Sequence, residues 1–316
     1  MKTNRRQQLL ALAGCALGAV VIAAFVGPLS STANPPAGST GRGGNAVVET
    51  LPDQLQISAV IRDFRGKAER GGHPDFESFT GSGRVGLVGE RLGADGKPIF
   101  RSSNGRQLAS DFKDSAGRPI PYFLFDSSRR DVSAAITDGN NTNGITSAAS
   151  FQSWYNDTPG MNMSKVTSLT FNRVAGTNRY IFDSANDQPY KTLGGFYPIN
   201  GELFGNFGST NKNYHFTTEL DARFVYERGT GQVFTFTGDD DVWCFIDGRL
   251  VIDLGGVHPK KAQTLELDRL TWLADNKAYQ FKIFHAERRT VQSNFRVETT
   301  LKLVPVQPPA VTDSFD

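Results

Sequence analysis

The segment from Thr237 to Gly248, with the sequence TGDDDVWCFIDG, constrains the fold more strongly than any other part of the chain. Three consecutive aspartates precede Val242 to Ile246, where apolar side chains occupy both sets of alternating positions. A strand that is apolar on both faces is buried on both sides of its sheet. The aspartates are therefore predicted to mark the point where the chain leaves the core at one rim of a sheet.

The rest of the C-terminal third consists of short runs that alternate apolar and polar residues, the pattern of strands with one buried face. These runs cover 220–226, 233–237, 279–285 and 295–303, with a shorter segment at 265–267 and an upstream run at 55–61. Asp247 and Gly248 predict a two-residue hairpin turn into a strand at 250–254. Because βαβ spacing is absent, the pattern predicts an all-β domain, a sandwich or barrel of mostly antiparallel strands, with its longest irregular region near 126–150.

The N-terminus has the features of an export signal. Lys2, Arg5 and Arg6 precede an uncharged stretch from Leu9 to Leu29. This predicts a signal peptide or an uncleaved membrane-anchor helix at 1–33, with the rest of the protein extracellular or at the cell surface. We expect a flexible linker at 34–50, one domain at 51–304 and a disordered tail at 305–316. Contact with a membrane is expected only through the N-terminal segment, if it is not cleaved.

Charge and motif content exclude several classes of function. Loss of residues 1–33 moves the formal charge from +2 to about −1, and clustered Lys and Arg are absent, so nucleic-acid binding is not expected. The four histidines lack zinc spacing, and Cys244 lies in the buried strand, where an inert thiol is expected. No nucleophile elbow or phosphate loop occurs, so no catalytic residue is predicted. A glycosidase stays open only because carboxylate separations cannot be measured from a sequence.

Adjacent carboxylates suit calcium, which takes six to eight oxygen ligands from flexible loops. Asp239 and Asp240 are the first candidate ligands, and the loop at 287–294 is expected to complete the site through Asn294 and Ser293. The structural alternatives are a solvated turn at the aspartates and an ordinary polar hairpin at the loop. His258, which follows two glycines, either faces a binding site or caps a turn.

Eight motifs in order resemble the fibro-slime domain, a branch of the PA14 superfamily. They cover most of residues 55–303 and are Ile61–Phe64, His73–Phe76, Phe151–Tyr155 with Pro159–Asn162, Gly195–Ile199, Gly238–Trp243, Phe245–Gly248, Asp253–His258, and Phe284–Arg288 with Ser293–Phe295. The resemblance implies a PA14-like antiparallel β-sandwich with long irregular insertions. It also implies a secreted or surface-displayed protein.

In the lectins of this superfamily, two aspartates joined by a cis peptide bond hold a calcium ion that coordinates sugar hydroxyl groups. The matching pair here is Asp239 and Asp240, while Asp241 stands where many members have glycine and could add a ligand or disturb the site. The asparagine of the lectin loop matches Asn294 loosely. For Glu287 and Arg288, the structural alternative is an ion pair that fixes the last hairpin.

Two functions follow from the resemblance. The first is a non-catalytic, calcium-dependent carbohydrate-binding and adhesion module whose partners are glycans or a polysaccharide matrix. The second is a structural component of extracellular matrix, slime or surface fibres that associates with itself and binds no sugar. A glycan array separates the two.

Overall fold

The structure, a computed structural model, describes residues 51–138 and 144–307. The predicted signal or anchor segment, the linker up to residue 50 and the tail from residue 308 lie outside the described residues. Within the described ranges, no helix combines the length and the apolar character needed to cross a bilayer.

Strands dominate the described residues, as the sequence predicts. The strands are β1 (Gln54–Phe64), β2 (Arg84–Val85), β3 (Val88–Leu92), β4 (Pro98–Phe100), β5 (Arg106–Leu108), β6 (Ile136–Thr137), β7 (Asn162–Arg173), β8 (Tyr180–Asp183), β9 (Phe216–Tyr226), β10 (Val233–Gly238), β11 (Asp241–Ile246), β12 (Arg249–Leu254), β13 (Lys261–Glu266), β14 (Lys277–Glu287), β15 (Phe295–Thr299) and β16 (Val304–Pro305). The helices are α1 (Ala148–Gln152) and α2 (Tyr190–Leu193), with 3-10 turns at Tyr122–Leu124, Ser127–Arg129 and Leu267–Arg269.

Most strands form one large sheet in the order β13-β10-β15-β8-β7-β1-β9-β14-β11-β12-β3-β4, with β16 beside β9. Every described pair of strands is antiparallel. The sheet curls so that its two halves face each other, and the rings of Phe234 in β10 and Phe281 in β14 lie 4.6 Å apart between them. The predicted all-β antiparallel sandwich is therefore confirmed.

Some boundaries differ from the sequence prediction. The last alternating run ends at Thr299 as β15, and the chain continues into the short strand β16, which includes Pro305. The segment expected at 265–267 is the end of β13 followed by a 3-10 turn at Leu267. Part of the region near 126–150 carries short elements, because β6 joins β2 and β5 in a separate three-stranded sheet.

Strand β11 is buried on both faces, as its composition predicts. Val242, Cys244 and Ile246 belong to the main core between the two halves of the sheet. On the opposite face, Trp243 packs in a second apolar cluster together with Trp154. Apolar packing on both faces therefore fixes the position of β11. The backbone of the aspartates that precede β11 is positioned by this packing.

A buried carboxyl group at the end of β1 gives a pH prediction. Asp63 accepts hydrogen bonds from the Phe204 backbone N–H at 2.7 Å and from Asn213 Nδ2 at 2.8 Å, yet burial raises the pKa of Asp63 to about 7. Between pH 4 and 7 the folded state keeps a proton that the unfolded state has released. Stability should therefore fall as pH rises, by up to about 1.4 kcal/mol per pH unit. We expect Asp63→Asn to flatten this slope in urea unfolding at pH 5, 6 and 7.

The wild-type protein is the matched reference for this slope. Burial also raises the pKa of Asp253 to about 7, and that group contributes equally to both proteins, so only the difference between their slopes reports on Asp63. Equal slopes in the two proteins would contradict the assignment of this proton to Asp63.

Candidate functional site

Asp239 and Asp240 lie where the chain crosses from one half of the sheet to the other. Strand β10, which ends at Gly238, pairs with β13 and β15, whereas β11, which begins at Asp241, pairs with β12 and β14. The peptide bond between Asp239 and Asp240 is cis. The two carboxylates therefore sit at a rim of the sandwich, as the sequence predicts.

Asn294 lies directly against the first aspartate. Its backbone N–H donates to Asp239 Oδ1 at 2.5 Å, and its side-chain Nδ2 donates to Asp239 Oδ2 at 2.8 Å. The Asp239 N–H donates in return to the Asn294 carbonyl at 3.2 Å. Burial raises the pKa of Asp239, and the hydrogen bonds from Asn294 oppose this shift. The structure thus brings two of the three predicted metal ligands together across 55 positions of sequence.

Asp240 is held by backbone groups of two other segments. Its Oδ1 accepts from the His258 N–H at 3.1 Å and its Oδ2 from the Arg288 N–H at 3.2 Å. Burial raises the pKa of Asp240 well above its usual range, the Asp241 and Asp239 carboxylates add to the shift, and the Arg288 charge opposes it. A nearby cation would favour the charged form.

Asp241 is paired with the buried Arg288. The Arg288 Nε donates to Asp241 Oδ2 at 2.6 Å, and the Gly256 N–H donates to Asp241 Oδ1 at 2.5 Å. The alternative ion pair between Glu287 and Arg288 is wrong, because Arg288 pairs with Asp241 and Glu287 forms no ion pair in the described part of the chain. Asp241 is fully buried by these partners, and its role as a ligand-binding residue stays a prediction.

Glu287 was missed as a residue of the acidic cluster. It is fully buried, its Oε1 accepts from the Arg289 N–H at 3.3 Å, and its Oε2 has no hydrogen-bond partner in the described part of the chain. Burial raises the pKa of Glu287 well above its ordinary value, the carboxylates of Asp240 and Asp239 raise it further, and the Arg289 N–H and the Ser293 hydroxyl group oppose the rise. A buried oxygen without a partner is costly unless something charged or polar stands beside it.

The remaining predicted residues are close to the aspartates but differ in what they contact. His258 is buried and lines the pocket described below, and burial lowers its pKa, so the ring is neutral and Nδ1 can donate to the Pro259 carbonyl at 2.9 Å. Ser293 is also buried, and its Oγ donates to the Phe196 carbonyl at 2.7 Å. The proposed ligand role of Ser293 stays a prediction.

His285 is a buried, hydrogen-bonded core histidine, which agrees with its place on the apolar face of its strand. Its Nε2 lies 2.8 Å from the Asp239 carbonyl oxygen, and burial lowers its pKa to about 4. The neutral His285 ring therefore donates a hydrogen bond from Nε2 to the backbone carbonyl of Asp239.

A pocket of about 260 Å³ opens directly on the aspartate pair. Its walls are formed by Thr80, Gly81, Asp239, Asp240, Val257, His258, Pro259 and residues 289–292. Val291 is 76% exposed at its lip. Sequence reasoning identified the loop at 287–294, but nothing in the sequence indicated that the segment at Thr80 approaches it.

The chemistry of this site fits a hard cation. Asp239 and Asp240 offer carboxylate oxygens beside a pocket, and Asn294 carries an amide oxygen, all ligand types that calcium prefers. The partnerless oxygen of Glu287 adds to an excess of buried negative charge. Among the described residues no group of three His, Cys, Asp or Glu side chains is arranged to hold a metal, so an ion here depends on Asn294 and on backbone carbonyls.

Comparison with known proteins assigns the family. The profile of the PA14 domain matches residues 153–316, about half of the chain, so the protein belongs to the PA14 domain family. This match contains the aspartate pair, Asn294 and most strands of the large sheet. The resemblance noted from the eight motifs is confirmed at the level of this family.

The chain is also similar to proteins of Dictyostelium discoideum. It is 33% identical to the protein psiR over 239 residues, which is 72% of this chain and 20% of the relative. It is 31% identical to psiF over 245 residues, 72% of this chain and 30% of the relative. It is 30% identical to psiD over 261 residues, 79% of this chain and 42% of the relative. The chain therefore spans from a fifth to about two fifths of the length of these relatives.

Solved structures overlap only in part. The PA14 domain of the MpAFP antifreeze protein aligns with 32% of this chain and 57% of its own, at 10% identity and a TM-score of 0.22. A β-glucosidase from Kluyveromyces marxianus aligns with 26% of this chain and 11% of its own, at 13% identity and a TM-score of 0.20. At these scores the overlaps carry no argument about this chain.

Proposed function

We propose that this PA14 domain is a non-catalytic, calcium-dependent glycan-binding module that works outside the cell or at its surface. The observation that carries the proposal is the pair of buried carboxylates, Asp239 and Asp240, at the floor of a pocket. Glycans or a polysaccharide matrix are the proposed partners. The other residues of the rim hold the pair in place and shape the pocket.

The balance of charge supports a cation at this position. Arg288 forms its ion pair with Asp241, and within the described ranges Asp239, Asp240 and Glu287 take part in no ion pair. Buried carboxylates without a positive partner shift toward the protonated form, which is the direction of all three pKa values. A bound calcium ion would restore their charge and supply coordination positions that sugar hydroxyl oxygens can fill.

The size and lining of the pocket support a small polar ligand. Its volume, about 260 Å³, is just below the range of roughly 300–1,000 Å³ typical of small-molecule sites. This suits one sugar ring at the end or edge of a glycan. Thr80, Thr290 and Gln292 bring hydrogen-bonding groups, and the exposed Val291 offers an apolar contact to a ring face.

We expect calorimetric titration with calcium to give a binding isotherm for the wild type and none for Asp239→Asn/Asp240→Asn. The amide side chains keep the size of the carboxylates but remove the charge that attracts the ion. Asp138→Asn is the matched control, because the Asp138 side chain is 95% exposed and does not line the pocket at the aspartate pair. This variant should leave the calcium isotherm unchanged.

A glycan array, probed with calcium and with a chelator, completes the test. Sugar binding that is lost with the chelator and in the double variant supports the module proposed here. Calcium binding without any sugar binding would instead favour the structural, self-associating function. Equal heats of calcium binding for the wild type and the double variant, with unchanged circular dichroism spectra, would contradict a calcium site at Asp239 and Asp240.

A further inference from the structure

Strand β7 has a free edge along most of its length. It pairs with β1 over eleven successive residues without a shift in register, from Asn162 to Asn172. On its other side it pairs with β8 only at Asn172 and Arg173. Beyond Asp183 the chain turns toward β15, where the Ser184 N–H donates to the Phe295 carbonyl. The stretch of β7 from residue 164 to 170 therefore has a strand on one side only.

The hydrogen-bond pattern shows which backbone groups face the free side. The Arg173 N–H donates to the Asp53 carbonyl at 2.8 Å, so these two residues form a hydrogen-bonded pair. In an antiparallel ladder such pairs alternate with non-bonded pairs, and odd-numbered residues of β7 therefore bond to β1. The bond from the Val174 N–H to the Arg179 carbonyl fits the same alternation on the β8 side.

The even-numbered residues consequently direct their backbone N–H and C=O groups away from β1. They are Ser164, Val166, Ser168 and Thr170. Among the described residues, no backbone or side-chain group is hydrogen-bonded to these N–H and C=O groups. Such a row of unpaired groups is a template for another strand.

A groove of about 690 Å³ lies along this edge. Lys165 and Thr167 line it together with Ser168 and Thr170. Successive side chains of a strand lie on opposite faces, so a cavity that touches both sets meets the strand at its edge. The segment at 187–202, which includes α2, forms the opposite wall.

Two of the devices that protect strand edges in natural sheets, proline and bulges, are missing from residues 164–170 of β7. Natural sheets also place charged side chains on an edge or cover it with a helix or loop. Residues 164–170 contain no proline, and their pairing with β1 has no bulge. The one charged side chain among them, Lys165, forms an ion pair with Glu202 across the groove.

We propose that this groove binds an extended peptide of a partner protein that lacks acidic residues and adds to β7 as a further strand. The unpaired N–H and C=O groups recur at every second residue, a spacing that a peptide backbone in β conformation matches and a sugar chain does not. From Ser164 to Thr170 the free edge is roughly 20 Å long, enough for about seven residues. The proposal does not depend on calcium or on the rim site.

The walls of the groove define the side chains of this peptide. A strand added in the plane of β7 directs alternate side chains to the core side, where Phe182, Tyr190 and Leu193 line the groove. The other side chains lie beside Ser168 and Thr170 on the outer face. The peptide should therefore alternate apolar with small polar residues. It should carry no acidic side chain, because Glu202 is already paired with Lys165 and the Asp187 carboxylate lines the groove without an ion pair among the described residues.

Ser168→Pro is the decisive variant. Proline removes the N–H that faces the groove, whereas the ladder to β1 stays intact because Ser168 and Ser58 form a non-bonded pair. The probe is a displayed library of heptapeptides with alternating apolar residues and no acidic residues. We expect wild-type binders to lose roughly tenfold or more in affinity for Ser168→Pro, since a backbone hydrogen bond is lost and the ring enters the groove.

Ser168→Ala is the matched control, because it keeps the amide and removes only the hydroxyl group, and binding should persist. The thermal midpoint of Ser168→Pro should remain close to that of the wild type, which shows that the fold is kept. If no library member binds the wild type, or if binders tolerate Ser168→Pro, the proposal is overturned. A concentration-dependent dimer that Ser168→Pro abolishes would assign the groove to a second copy of this chain and likewise overturn it.

Discussion

Replacing Arg288 with methionine is expected to lower the free energy of unfolding by about 3–5 kcal/mol. Arg288 is fully buried, and its Nε donates to the equally buried Asp241 at 2.6 Å. Methionine fills much of the same space but leaves the Asp241 carboxylate without its charge partner, and that uncompensated charge is the main cost. Urea unfolding at pH 7 measures the effect.

A double variant separates the charge from the packing. Asp241→Asn together with Arg288→Met leaves no buried charge at this pair, so at least half of the lost stability should return. Part of the loss should remain, because the guanidinium group also lies 4.8 Å from the centre of the Trp154 ring. A loss below about 1 kcal/mol in the single variant would show that the pair is not the support described here.

The second large effect is expected for Gly238→Ala, which should cost about 1–3 kcal/mol of stability or more and also abolish the calcium binding proposed above. A Cβ atom at this position would lie 2.3 Å from the Asn294 carbonyl oxygen and 2.7 Å from the Phe236 ring. Relief of these overlaps moves Asn294 away from Asp239. Thermal unfolding and calcium calorimetry measure the two parts of the effect.

Gly89→Ala is the matched control for this prediction. Gly89 also lies in a strand, β3, and a Cβ atom there meets nothing closer than 3.5 Å. Its stability and calcium isotherm should stay close to those of the wild type. An alanine at Gly238 that leaves both measurements unchanged would show that Asn294 does not have to stay beside Asp239.

Much of the fold was predictable from the sequence, because the periodicity of apolar residues indicates buried strands. Strands β9 and β14 alternate cleanly, and β11 is apolar on both faces, so all three were predicted close to their observed positions. Strand β7 was missed. Its sequence, NMSKVTSLTFNR, is polar over its first half, where one edge borders the open groove and most side chains are only partly buried.

The candidate site was predictable in part. The aspartate pair stood out by its charge density, and the preference of calcium for oxygen ligands pointed to the loop that ends at Asn294, which the structure places beside Asp239. The partner of Arg288 was not predictable, because Asp241 lies 47 positions away and becomes a neighbour only through the pairing of β11 with β14. The predicted calcium at this site stays a prediction.

The two crossings between the halves of the sheet meet at one place. The chain passes from β10 to β11 through Asp239 and Asp240, and from β14 to β15 through the loop that ends at Asn294. A ligand bound between Asp239, Asp240 and Asn294 contacts both halves of the sheet at once. It must dissociate before the two halves can separate. A ligand there would therefore stabilise the domain against mechanical force as well as against heat.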